Sequence, residues 1–266
     1  MELTFLGTGT STGIPMIGCD CPVCRSTDPR NKRRRSCLYV KTECVAFVID
    51  TPPDFREQML DADIRRLDAV VFTHAHADHV FGFDDVRRFN TLAGDVVLPA
   101  YGVPETLARI QRIFSYIKTT PNNLGLFRPL IEFRPVTGPF EIGDVRLTPF
   151  EVEHGEKMTG YLLESGGARV GYVCDCHRIP EHSLAQLTDL DVMILDALRP
   201  EPPHPTHLCL SESLALLARI GAKQSYLIHM GHGFDHATLV RNLPPGIAPS
   251  YDGLRIRVER TEKRSA

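Results

Sequence analysis

The sequence predicts an α/β chain built from two sheets covered by helices, and three observations carry that prediction. Short apolar runs rich in β-branched residues recur in two batches along the chain. Helix-like patterns come between many of them, which points to two sheets covered by helices. A dense group of imidazoles sits where one apolar run ends, the position at which open α/β sheets collect their sites.

In chain order, the strand-like runs are Leu3–Leu6, Cys37–Val40, Val45–Asp50, Leu67–Thr73 and Val96–Ala100. The second batch is Val145–Phe150, Tyr161–Leu163, Ala168–Val173, Val192–Leu195 and Ser225–Ile228. Helical spacing is read over Pro53–Leu60, Pro104–Phe114, Glu181–Leu187, Ser211–Ile220 and Asp235–Asn242. Ser211, with Glu212 behind it and Leu-Ala-Leu-Leu-Ala following, reads as a capped helix start. Pro121-Asn122-Asn123-Leu124-Gly125 reads as an exposed loop. No internal repeat or long linker divides the chain, so residues 1–266 are expected to form one domain.

The chain has 266 residues, 42% of them hydrophobic and 24% charged, enough to bury a sizeable core. A formal net charge of −3 gives no global basic surplus for a nucleic-acid backbone. No apolar run is long enough to cross a bilayer, and the start lacks a basic, apolar leader. These features predict a cytoplasmic protein without a membrane partner.

His74, Ala75, His76, Ala77, Asp78 and His79 put three imidazoles and a carboxylate into six residues. Imidazole nitrogen and carboxylate oxygen are the donors that zinc and similar divalent ions select. A helical zinc motif would space its histidines at i and i+4. The spacing here is i, i+2, i+4 and i+5, which suits a loop curling around more than one ion. Three further donors follow apolar runs: His154, Asp175 and His229.

Eight cysteines in a chain read as cytoplasmic argue for reduced thiols and metal rather than disulfides. Cys19, Cys21 and Cys24 are close enough to wrap a structural zinc, with a fourth donor needed from elsewhere. Cys37, Cys44, Cys174, Cys176 and Cys209 fall in or beside apolar stretches and read as buried thiols.

With these residues in order, the chain resembles the metallo-β-lactamase superfamily, an αββα sandwich of metal-dependent hydrolases. The resemblance rests on the His-x-His-x-Asp-His run at 74–79, on His154, Asp175 and His229, on Leu-Gly-Thr-Gly at 6–9 and on Ile49-Asp50. It implies one ion on His74, His76 and His154, a second on Asp78, His79 and His229, and Asp175 bridging them. Zinc or manganese suits such nitrogen and oxygen donors. A narrower resemblance is to the PhnP-type cyclic phosphodiesterases, which carry a cysteine-rich loop after the opening strand and a histidine just past the last ligand. It implies that His232 completes a structural zinc site with Cys19, Cys21 and Cys24.

The same resemblance places a histidine before a helix in a Pro/His-rich loop. His207 fits that position, with His204 as a weaker candidate. The implied activity is hydrolysis of small, cyclic phosphodiesters by a metal-bridging hydroxide. Asp78 would orient the nucleophile, and His207 would hold a phosphate oxygen or protonate the leaving alkoxide. Arg34 and Arg35, in the run Lys32-Arg33-Arg34-Arg35, are candidate phosphate contacts. The chief rival is a tRNA 3′-processing endonuclease of the same superfamily, but no basic Gly/Pro-rich arm is seen, which disfavours nucleic acid as partner. Thioester or lactam hydrolysis, and a metal-binding or redox module without catalysis, are further alternatives. A homodimer is compatible with the sequence.

Overall fold

The computed structural model of the chain describes residues 1–117 and 128–259. The loop expected at Pro121-Asn122-Asn123-Leu124-Gly125 lies outside the described residues. Among the described residues, fourteen strands form two seven-stranded sheets. The first sheet contains β1 (Glu2–Gly7), β2 (Cys37–Lys41), β3 (Ala46–Ile49), β4 (Ala69–Val71), β5 (Leu98–Gly102), β6 (Ile131–Pro135) and β14 (Arg255–Arg257). Its order is β14-β1-β2-β3-β4-β5-β6. The second contains β7 (Phe140–Ile142), β8 (Val145–His154), β9 (Glu156–Ser165), β10 (Ala168–Val173), β11 (Val192–Asp196), β12 (Gln224–Ile228) and β13 (Ile247–Pro249). Its order is β13-β12-β11-β10-β9-β8-β7.

Both sheets are mixed. β3 to β6 pair parallel, as do β10 to β13, while the pairings β14–β1–β2–β3 and β7–β8–β9–β10 are antiparallel. Parallel strands buried on both faces read as continuous apolar runs, and β3 shows why. Phe47 and Ile49 point into the core between the sheets, with Leu3, Leu38, Val145, Val170 and Ile194. Ala46 and Val48 point the other way, under the helices. All four are fully buried. Each large apolar side chain so buried contributes about 1.5–3 kcal/mol.

The helices are α1 (Pro22–Arg25), α2 (Phe55–Asp61), α3 (Ala77–Val80), α4 (Arg87–Leu92), α5 (Pro104–Ile113), α6 (Glu181–Leu184), α7 (Leu210–Ile220) and α8 (His236–Asn242). Phe55 and Met59 of α2, Phe89 of α4 and Leu107 and Ile110 of α5 cover the outer face of the first sheet. The second sheet is covered in part by α7 against β11 and α8 against β13. Helix, sheet, sheet, helix is the αββα sandwich.

All ten strand-like runs contain a strand, within a few residues at the ends. The four strands that were not expected are β6, β7, β13 and β14, and these are the four sheet edges. Edge strands are half exposed, so their apolar signal is weak. β14 has no buried residue, and β7 and β13 have one each. Two expectations need correction. α7 starts at Leu210, and its cap is Cys209 rather than Ser211: Glu212 at the third helical position accepts from Cys209 N–H at 2.8 Å. Cys44 is exposed, because it sits in the turn between β2 and β3, while the other four apolar-flanked cysteines are buried.

Candidate metal centre

Strand ends position the donors. β4 stops at Val71, the chain bends at Thr73, and His74 and His76 follow in non-helical backbone, extended at His76, before α3 begins. Asp78 and His79 therefore lie on a helical turn while His74 and His76 do not. That break turns one contiguous motif into two groups facing different ways. β8 ends on His154, β10 ends two residues before Asp175, and β12 ends just before His229. The ligand atoms of His74, His76 and His154 lie within 4.8 Å of one another, and so do those of Asp78, His79, Asp175 and His229.

The seven residues form one compact array. His74 Nε2 stands 3.0 Å from His76 Nδ1. Asp175 reaches both groups: Oδ2 is 3.5 Å from His154 Nε2, and Oδ1 is 3.3 Å from His79 Nε2 and 3.2 Å from His229 Nδ1. Asp78 Oδ2 also lies 3.3 Å from His79 Nε2. His79 Nε2 and Asp175 Oδ1 are buried and make no hydrogen bond. Orphaned buried polar atoms are costly, about 1–3 kcal/mol each. A divalent cation between them would satisfy both, so the donor set fits a metal pair.

Electrostatics agree with that fit. Burial holds His74 and His154 below the ordinary histidine range and His229 down to about 3, which keeps their lone pairs free. Burial also penalises charge on His79, but Asp175, Asp78 and Asp50 outweigh it and push the imidazole well up. Burial likewise opposes ionisation of Asp175, and the facing histidines overcome it to hold the carboxyl well below its usual range. A cation held here would take the place of the His79 Nε2 proton, with Asp175 and Asp78 as its carboxylate partners.

A second layer aims the rings. His79 Nδ1 donates to Asp50 Oδ2 at 2.8 Å, and Asp50 also accepts from Thr73 N–H at 2.9 Å and the Thr73 hydroxyl at 2.7 Å. His154 Nδ1 donates to the Thr206 carbonyl at 2.7 Å. Ser36 Oγ lies 3.2 Å from His229 Nδ1. Asp50 and His229 both adopt positive φ, 65° and 58°. Such backbone is unusual for non-glycine residues and gathers at functional sites.

His207 joins the array from the Pro-rich loop. Its Nδ1 donates to Asp196 Oδ2 at 2.9 Å, and its ring stacks on His229 at 4.9 Å and 11°. Burial pulls His207 down, but the Asp196 hydrogen bond and charge more than offset it and raise its pKa. His204 stands beside it, 5.2 Å between ring centres. The arginine run behaves differently from a phosphate clamp. Arg33 is buried, donating to the Phe234 carbonyl at 2.9 Å. Arg34 pairs with Asp61 at 2.7 Å and Arg35 with Asp54 at 2.8 Å, so carboxylates already take up both candidate contacts.

Cys19, Cys21, Cys24 and His232 form a separate group within 4.8 Å. His232 Nδ1 stands 3.2, 3.5 and 3.8 Å from the three sulfurs in that order. The Cys24 backbone N–H, first among several hydrogen bonds, lowers the Cys21 pKa to about 6. All eight cysteines are free thiols. The residues that sequence reasoning left without a role are Asp50, Asp196 and Ser36. Asp50 and Asp196 each stand at a strand end, the same signal that singled out Asp175.

Residues 46–230 match the family described as the beta-lactamase superfamily domain. The chain is similar to a crystal structure described as a new diphosphatase from the PhnP family, with 38% identity and a TM-score of 0.88 over 97% of this chain and 98% of that one. It is also similar to Zn(2+)-bound PqqB from Methylobacterium extorquens, with TM-score 0.78 over 97% of this chain and 100% of that one; at 20% identity this likeness speaks for the fold alone. Among curated proteins, an octanoyltransferase of Porphyromonas gingivalis is 34% identical over 97% of this chain and 52% of its own length. The chain thus spans about half of that relative.

Proposed function

The chain belongs to the metallo-β-lactamase superfamily, within its PhnP family, and from that premise we propose that it hydrolyses small phosphodiesters using two divalent ions. The carrying observation is the shared carboxylate: Asp175 faces both donor groups, and its Oδ1 is buried without a hydrogen bond opposite an equally orphaned His79 Nε2. His74, His76 and His154 would hold one ion, Asp78, His79 and His229 the other, and Asp175 both. Zinc or manganese fits these donors. Such a pair lowers the pKa of water, orients the phosphate and neutralises its charge.

The protein's own groups supply the rest. His207 lies outside the seven donors and is held by Asp196. Its Nδ1 is committed to that carboxylate, so the proton it can transfer sits on Nε2, and the leaving alkoxide takes it there. Asp196 fixes the tautomer and supports the imidazolium. Asp78 orients the attacking water while serving as a ligand. His204, beside His207, is the weaker candidate for holding a phosphate oxygen. Cys19, Cys21, Cys24 and His232 would hold a structural zinc, a closed tetrahedral set with no open position.

The test is turnover of bis(p-nitrophenyl) phosphate by protein loaded with zinc or manganese, set against the Asp175→Ala variant. Turnover that disappears along with bound metal supports the reading. No turnover with any ion, or a variant that keeps both metal and activity, refutes it. A tRNA precursor in the same panel separates the diesterase from an RNA-processing enzyme.

A further inference from the structure

One short piece of backbone joins the thiol group to the hydrolytic centre. His232 stands between Gly231 and Gly233, and both glycines are pressed against the loop that carries His207. A Cβ on Gly231 would meet the Leu198 carbonyl oxygen at 2.8 Å, and one on Gly233 would meet Pro200 Cδ at 2.8 Å. Only glycine allows so close an approach. Gly231 N–H donates to the Leu198 carbonyl at 2.8 Å, and Leu198 N–H donates to the Leu208 carbonyl at 2.9 Å, beside His207. An unbroken run of contacts thus leads from the sulfurs through His232 and Leu198 to the proton-donating imidazole.

The other side of the segment is fastened differently. Met230 N–H donates to the Thr8 carbonyl at 2.9 Å, and the Met230 carbonyl accepts from Thr10 N–H at 3.3 Å. These bonds hold His229 beside the opening strand whether or not His232 is held. Letting go of His232 therefore loosens the His207 loop more than it loosens the metal ligand.

The thiols are arranged to react with one another. Cys37, Cys174, Cys176 and Cys209 are buried, and Cys44 is exposed in its turn, away from any other sulfur contact. Cys21 is half-buried and Cys24 lies buried behind it. Cys24 N–H donates to Cys21 Sγ at 3.4 Å, and the two sulfurs lie within 4.8 Å of each other. Cys21-Pro22-Val23-Cys24 has the Cys-x-x-Cys spacing that thiol–disulfide chemistry favours.

We propose that this group is a redox latch on the hydrolytic centre: a peroxide joins Cys21 to Cys24, His232 is let go, and proton transfer by His207 weakens. The inference rests on the structural-zinc and diesterase readings above. The Cys21 thiolate attacks the peroxide; an S–O bond forms, the O–O bond breaks, and a sulfenic acid and hydroxide result. The Cys24 thiolate then attacks that sulfur; the S–S bond forms, the S–O bond breaks, and a second hydroxide leaves. Two electrons pass from sulfur to the peroxide, and two solvent protons convert both hydroxides to water. Sulfurs joined at about 2.05 Å no longer serve as two thiolate ligands, so any zinc held there leaves.

The full chain carrying Cys44→Ser, which removes the exposed thiol outside the group, is treated with hydrogen peroxide. Mass spectrometry should find a Cys21–Cys24 disulfide, and a chromophoric chelator should register zinc released in step with it. Hydrogen exchange reads the coupling without turnover: the Leu198 and Gly231 amides should exchange about tenfold faster, while those of Met230 and Thr10 stay protected. Turnover of a diester with an alkyl leaving group should fall about 10–100-fold, up to the cost of a misplacement of about 1 Å. Turnover of bis(p-nitrophenyl) phosphate should fall far less, because p-nitrophenolate needs little protonation. Dithiothreitol with zinc should reverse both changes. A Cys21–Cys24 bond that leaves exchange and leaving-group dependence unchanged overturns the latch, and so does a treated chain without that bond. Absence of thiol-bound zinc before treatment dismisses the structural ion, and absence of turnover dismisses the diesterase; in either case exchange at Leu198 and Gly231 still decides the latch.

Discussion

Replacing Asp50 with asparagine should cripple the second ion site without unfolding the protein. The side chain keeps its size, and asparagine tolerates the positive φ of 65° found there. What changes is donor and acceptor arithmetic. Asp50 accepts four hydrogen bonds: Thr73 N–H on Oδ1, and the Thr73 hydroxyl, His79 Nδ1 and, longest at 3.9 Å, the Cys174 thiol on Oδ2. Asparagine offers one oxygen and one NH₂. With its oxygen toward Thr73 N–H, the NH₂ faces His79 Nδ1 and forces the ring into the other tautomer. Nε2 then carries the proton and no longer offers a lone pair to Asp78, Asp175 or a cation. With the amide turned over, NH₂ meets Thr73 N–H, and a buried donor is opposed at about 1–3 kcal/mol. Supporting groups of this kind alter metal affinity by about 10–100-fold, which is about 1.4–2.8 kcal/mol at 1.4 per decade, the same scale. Chelator-buffered zinc titration of both proteins, with circular dichroism to check the fold, measures it. Second-ion affinity within twofold of the parent would refute the argument.

Three further outcomes follow from other parts of the molecule. Cys21→Ser should remove one thiol-bound zinc per chain and lower the Tm by about 5–10 °C, because a closed site contributes folding energy; unchanged zinc content and Tm would dismiss a structural ion. His207→Ala should leave both catalytic ions bound and slow diesters with poor leaving groups by about a hundredfold or more; the loss should shrink for p-nitrophenolate, and equal losses would mean phosphate binding rather than proton transfer. Burial pushes the Asp252 carboxyl up to about 7, against the pull of Arg34 N–H and the Thr8 hydroxyl. Folding therefore favours protonated Asp252: its contribution is complete below about pH 4 and is lost as pH rises through 7. Asp252→Asn is neutral at every pH, so between pH 5 and pH 8 the parent should lose about 2–3 kcal/mol relative to it in urea melts; parallel curves would show that Asp252 stays ionised.

Sequence legibility tracked burial and chemical rarity. Runs such as Val192–Leu195 announced themselves because both faces are buried and the apolar signal is unbroken. β14, reading Arg255-Ile256-Arg257, gave nothing to find, since an edge strand is held by backbone pairing more than by its side chains. Among the candidate site residues, three histidines in six positions stand out against any background. Asp50 and Asp196 share only the strand-end position that also marks Asp175, with no clustered donors beside them in the sequence. Their meaning comes only from the ring each one holds, and that pairing is tertiary. Arg33 shows the opposite failure: a basic run implies solvent, yet its second member turns inward to the Phe234 carbonyl because the chain crosses under the 231–236 loop.

The group at Cys19, Cys21, Cys24 and His232 joins positions more than two hundred residues apart in the chain. It also sits three residues past His229, so the clasp and the hydrolytic centre draw on the same returning segment. As the polypeptide leaves the ribosome, the His74–His79 motif emerges early but can retain no ion pair, since Asp175 and His229 are still to come. The thiols wait longer still, for His232. Metal acquisition at either centre would thus wait for this returning segment, and both would become possible almost together. A nascent chain halted before that segment would expose three thiols and half an array, open to whichever soft ion arrives first.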